Sequence, residues 1–229
     1  MVRLVLIAIL LSAYHPGFGV INLSVKIGYS NSKHGDLIEI QQRAVSESLL
    51  SIQTVNNFDP SAHLIASLSY VISKHQFGAY YLTKKTGARS GSKDSTGYYQ
   101  FDQKVGLESF GIFYQYNFWK NIGLGCRLGG TFTKYSLIEK LELNENTLWN
   151  NHDKLEASGY EINPYLIYQV RPLNWLGLQF EAGYNFDLSE KFNYIGTDSD
   201  FAPDWRGYRV SAGISIDLTQ IFSSKEERN

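Results

Sequence analysis

The chain has 229 residues and a formal charge of -1, from 21 basic and 22 acidic side chains; with no basic excess, nucleic acid is excluded as the expected partner. One cysteine excludes an internal disulfide, and 14% aromatics, with 16 Tyr, 13 Phe and 20 Gly, favour strands and turns over helices. Mean hydropathy is -0.23, a value that a soluble protein shares with any chain alternating lipid-facing and polar residues.

The first element is an export signal. Met1-Val2-Arg3 is a short basic start, Leu4 to Tyr14 an apolar run, and His15-Pro16-Gly17 its break. A helix needs roughly 20 residues to span a bilayer, so this run is too short. Gly17 and Gly19 form a small-residue pair that places cleavage after Gly19, giving a signal peptide over 1–19. No Cys stands near that point, which argues against a lipid-anchored N-terminus.

From residue 20 onward a period of two returns eight times. Ile21, Leu23, Val25, Ile27 and Tyr29 oppose Asn22, Ser24, Lys26 and Gly28. Ala62 to Ile72 alternates in the same way, with Ile65 and Val71 out of phase. Phe77 to Thr83 is a third strand of undetermined phase, because Tyr80, Tyr81 and Leu82 are consecutive. Phe110 to Phe118 and Ile122 to Phe132 are the fourth and fifth, apolar at even positions, with Phe113 the one bulky odd residue. Tyr160 to Val170 is the sixth and contains Pro164. Leu176 to Phe186 and Tyr208 to Leu218 complete eight.

Connection lengths alternate too. Short turns fall at 73–76, 120–121 and 171–174, and long polar loops at about 31–60, 86–104, 138–156 and 188–206. An up-and-down barrel whose two ends meet unlike environments has this pattern. The stretch 36–55 fits either a short helix or a hairpin extending the first two strands.

Charge decides which face is inside. A soluble barrel needs an apolar lumen, which Lys26, Arg127, Glu161 and Glu181 would spoil. The apolar face instead stays nearly free of charge over about nine to eleven residues per strand, the length of a tilted transmembrane strand. The face assigned to the lumen carries Lys26, His63, Glu108, Arg127, Glu161, Glu181, Arg209 and Asp217 among small polar residues. Phe118, Trp119 and Trp175 lie at short turns and Phe222 ends the last strand, as an interfacial aromatic girdle would. The expected fold is therefore all-β: an eight-stranded antiparallel up-and-down transmembrane β-barrel over 20–222, with a short tail over 223–229.

On strand count, loop alternation and signal peptide, the chain resembles the small eight-stranded outer-membrane barrels of the OmpA membrane-domain and OmpX type. The resemblance implies a Gram-negative-type outer membrane with the long loops outside. No domain is expected after the barrel, so a cell-wall anchoring role does not carry over.

Eight strands enclose a lumen just wide enough for side chains. Lys26, Glu108, Arg127, Glu161, Glu181 and Arg209 are expected to pair there in a structural salt-bridge network, since unpaired buried charge is costly. The expected role is non-enzymatic, exercised through surface loops in interaction, adhesion or envelope integrity, by a monomer. Expected partners are outer-membrane lipid or lipopolysaccharide and an extracellular protein or surface ligand. A narrow channel or small-solute transporter is the first alternative and a lipid-modifying enzyme the second. No catalytic, cofactor or metal site is assigned. His34, His75 and His152 fall in loops or turns, none with a Ser two residues on, and the acidic TDSDFAPD loop with Asp198, Asp200 and Asp204 lacks the Gly and Glu of a calcium loop.

Overall fold

A computed structural model describes residues 19–47, 52–56, 58–93, 97–143, 146–194, 197–198 and 201–221. The signal peptide, apart from Gly19, lies outside the described residues, as do Phe222 and the tail 223–229. Eight long strands form the wall: β1 (Val20–Ser30), β2 (Ser61–Ile72), β3 (His75–Lys93), β4 (Gly97–Tyr116), β5 (Ile122–Leu143), β6 (Asn146–Leu173), β7 (Leu176–Asp187) and β8 (Gly207–Asp217). Each pairs antiparallel with its chain neighbour. The ring closes where β1 pairs with β8, from Asn22 opposite Asp217 to Ser30 opposite Arg209. No edge is left over the span of the closed ring, as backbone in hydrocarbon requires.

The wall is inverted relative to a soluble barrel. Large side chains on the outer face are exposed, among them Ile27 at 67%, Phe110 at 58%, Ile112 at 65% and Tyr208 at 71%. Polar and charged groups, including Lys26, Arg127, Glu161 and Arg209, are buried inside. β3 resolves its phase with Tyr80 and Leu82 inward and Tyr81 outward. Phe113, Tyr165 and Ile167 also face in, and fill much of the lumen. Pro164 interrupts the ladder rather than the strand: β6–β7 pairing runs through Ile162–Phe186 and resumes at Tyr165–Gly183, skipping Asn163 and Pro164. Proline has no N–H to donate there.

Two expected loops are largely strand. β3 and β4 pair without a break from His75–Tyr116 to Lys93–Tyr98, and β5 and β6 from Ile122–Tyr168 to Leu143–Asn146 with one irregularity. The hairpins therefore rise well past the apolar belt. Their upper outward residues meet water, so the period-two hydropathy signal fades although the strand continues. Over 36–55 the described residues form a helix and a short strand, not a hairpin extending the first two strands. Helix α1 (Gly35–Glu47) is followed by a short strand, Gln53–Asn56, which pairs with Arg89 to Gly91 of β3.

Candidate functional site: the lumen network and its plug

Two layers of charge cross the lumen. In the lower, Glu181 on β7 accepts from Lys26 Nζ at 2.6 Å and, bidentately, from Arg127 Nη1 and Nη2 at 2.5 Å each. Arg127 Nη1 also donates to Asn163 Oδ1 at 2.9 Å, and its guanidinium lies 4.1 Å from the Tyr165 ring centroid. In the upper, Glu161 on β6 accepts from Arg209 Nη2 and from the Tyr80 hydroxyl, both at 3.0 Å. Gly129 pairs with Glu161 in register, and a Cβ there would stand 2.1 Å from the Tyr80 oxygen; its bare backbone lets the phenol reach across.

The structure brings five of the six assigned lumen charges inside. Glu108 is the correction: it is exposed on the outer wall, opposite Thr83 and Phe132. The reason is parity, since Glu108 falls on the same side of β4 as Phe110 and Ile112. The buried cation missing from the sequence reading is Lys84, which shares the inward phase of Tyr80 and Leu82. The adjacent Lys84 and Lys85 hid it, because only the phase of β3 says which of the two turns in. Of the girdle residues within the described chain, Phe118, Trp119 and Trp175 are exposed at the short-turn end.

Above these layers the mouth is closed by an aromatic plug assembled from the first and fourth long loops and β5. Trp205 is fully buried; its indole N–H donates to Thr133 Oγ1 at 3.0 Å and its backbone N–H to Asp187 Oδ2 at 2.9 Å. The Lys84 ammonium lies 4.3 Å from the Trp205 ring centroid, and His34 meets the same indole edge-on at 4.5 Å. Leu37 of α1, Phe58, Tyr135 and Phe192 join this core. His34 and Phe58 hold positive φ angles of 45° and 43°, conformations that cost on the order of 1 kcal/mol each and are kept by the packing around them. Burial, and then the nearby Lys84 charge, depress the His34 pKa from its ordinary 6.5 to about 3, so His34 is neutral inside the plug.

The remaining polar candidates are separate. His63 faces the lumen, and neither ring nitrogen finds a hydrogen-bond partner. Asp204 engages its neighbour Arg206 through two bonds of 2.8 Å, Asp200 lies outside the described residues, and among those residues no group of three or more His, Cys, Asp or Glu is placed to hold a metal. His152 Nε2 and Ser136 Oγ meet at 2.9 Å across the β5–β6 hairpin, an exposed pair invisible at a spacing of 16 residues. No carboxylate is hydrogen-bonded to the other ring nitrogen among the described residues.

A closed ring with an apolar exterior, charge shut inside and aromatics at the turn end is the architecture of a small eight-stranded transmembrane β-barrel. No protein-family model matches the chain, and no curated protein sequence is similar to it. Among solved structures, the attachment invasion locus protein Ail of Yersinia pestis, in complex with the heparin analogue sucrose octasulfate, is similar at 12% identity and a TM-score of 0.46, over 87% of this chain and 99% of that one. Neisserial surface protein A is similar at 11% identity and a TM-score of 0.40, over 86% and 97%. The porin NanC is similar at 9% identity and a TM-score of 0.29, over 86% and 100%.

Proposed function

We propose that the chain is a monomeric, non-enzymatic barrel of a Gram-negative-type outer membrane, exported by its leader, which works through the hairpins and loops raised on the outer side. The contrast between its two ends carries this reading. At one end the strands are joined by tight turns; at the other, β3 to β6 extend as paired hairpins while Trp205 and its neighbours fill the mouth. A protein built mainly to pass solute would not fill its own mouth, whereas one that presents a surface benefits from rigid strands under its contact residues. In this reading the charge layers hold the wall together, and the loops serve interaction, adhesion or envelope integrity.

The test is surface display in a host with an outer membrane. A protease-cleavable tag at the β5–β6 tip should be cut on intact cells, and cells displaying the chain should adhere to immobilised matrix or host surfaces only while that hairpin is present. A tag protected on intact cells and cut only after lysis would reverse the assigned orientation.

One observation favours the narrow-channel reading. Arg209 Nε and Nη1, both His63 ring nitrogens and Ser211 Oγ are buried without hydrogen-bond partners from the protein, and groups of this kind are usually met by internal water. Single-channel recording separates the two readings, since a hydrated chamber under a plug stays silent and a continuous path conducts.

A further inference from the structure

The outer wall just above the apolar belt carries a cluster of lysines on the side formed by β3 to β6. Lys85 on β3, Lys104 on β4, Lys134 on β5 and Lys154 on β6 are all exposed. Strand register arranges them as two pairs. Lys85 and Lys134 flank Gly106, and one step higher Lys104 and Lys154 flank Ser136. With strands about 4.8 Å apart, each pair spans about 10 Å across a small central residue. The Lys85 stem folds over that gap, its Cγ 3.6 Å from where a Gly106 Cβ would stand. Among the described residues none of the four lysines is in an ion pair. Glu156 sits opposite Lys134, and Glu108 one step lower, so four cations face two carboxylates and the patch keeps two positive charges. The four lysines share a surface depression of about 920 Å³.

The position of this shelf says what it meets. It lies on the side of the barrel, directly over Phe132, whose ring stacks on that of Phe110 at 5.8 Å. Cationic groups over exposed aromatic rings match an amphiphile standing in the leaflet, with acyl chains on the rings and phosphate at the ammoniums. The opposite rim, formed by Tyr29, Phe186, Leu188 and Tyr208, offers exposed apolar side chains instead. A soluble partner would meet the hairpin tips first, whereas only a lipid presents anions at this height with hydrocarbon beneath.

We propose that Lys85, Lys104, Lys134 and Lys154 form a site for the phosphorylated headgroup of an anionic lipid in the outer leaflet. The proposal rests on the outer-membrane reading above. It deepens that reading by naming the side of the barrel and the chemical group it binds.

The experiment uses the full barrel refolded in phosphatidylcholine vesicles containing lipid A as the phosphate-bearing probe, with retained lipid counted by native mass spectrometry. Lys85→Gln with Lys134→Gln, Lys104→Gln with Lys154→Gln, and all four together should each keep heat-modifiable gel migration. Lipid A affinity should fall about fivefold per lysine removed. Lys33→Gln with Arg43→Gln, which removes two loop cations, should leave it unchanged. Dephosphorylated lipid A should bind no better to the parent than to the fourfold variant. The proposal is overturned if the fourfold variant retains lipid A like the parent, or if the loop variant loses it equally. It is equally overturned if inorganic phosphate or inositol hexakisphosphate displaces the lipid completely, which would mark a free-anion site. Cell fractionation separates this from the reading beneath it. Unchanged lipid binding with the chain in the outer membrane overturns the shelf alone; recovery of the chain from the soluble fraction overturns both.

Discussion

Glu181 is the side chain on which the lower lumen turns, because one carboxylate bonds to two buried cations, Lys26 and Arg127. Glu181→Gln leaves both without a counter-charge and is expected to cost about 3–5 kcal/mol, the usual penalty for breaking a buried pair from one side. A urea midpoint for the vesicle-inserted variant equal to that of the parent would show that the pair does not hold the wall. Arg127→Met is expected to cost less, since Lys26 still meets Glu181, and to leave planar-bilayer conductance unaltered. In the plug, Trp205→Ala is expected to lose about 3–5 kcal/mol and to raise conductance above the parent's, because the cavity opens at the mouth. His34 adds a pH dependence whose sign follows from its depressed pKa. Above its ordinary 6.5 both folded and unfolded forms are neutral and plug stability is full; as pH falls from 6.5 toward about 3, only the unfolded loop takes up the proton and stability drains away. Protease cutting of the loop that carries α1 should accelerate across that window, and His34→Phe should flatten the curve.

Strands, turns and loops were legible to different degrees, for reasons local to each. Where one face meets hydrocarbon, as in β7 from Leu176 to Phe186, alternation is clean and both strand and inward face can be read directly. In β3 the phase was hidden by Tyr80, Tyr81 and Leu82, since the lumen near the plug accepts Tyr80, Leu82 and, across the wall, Ile65 and Leu107 as readily as polar groups. Glu108 shows the opposite case, because its parity with Phe110 was visible and still argued for the outer wall. The plug was not legible at all: His34 and Phe58 come from the first long loop and Phe192 and Trp205 from the fourth, and only folding brings them together. The upper hairpins were read as loops because both faces of a strand outside the bilayer tolerate polar residues. Deletion of residues 140–149 from the β5–β6 hairpin should therefore leave heat-modifiable migration intact, since the ring below Phe132 and Tyr160 does not depend on it. Loss of the folded band would place structural weight on the hairpin tips instead.

At the scale of the whole molecule, the wall separates two polar compartments with a belt of exposed apolar side chains, and its lumen is filled by paired charges, aromatic rings and a plug. Arg209, Glu161 and Tyr80 join β8, β6 and β3 through hydrogen bonds of 3.0 Å across the interior. Internal links of this kind resist flattening of the cylinder under lateral pressure from lipid. The seam between β1 and β8 has a further consequence, because it joins the first strand of the ring to the last. Without the eleven residues of β8, β1 and β7 both present unpaired amides, and no partial ring can rest in hydrocarbon. Assembly is thus committed only when β8 pairs with β1, which makes it slow and all-or-none. A chain cut short before Gly207 would reach the membrane as an orphan sheet for quality control to clear, never as a smaller barrel.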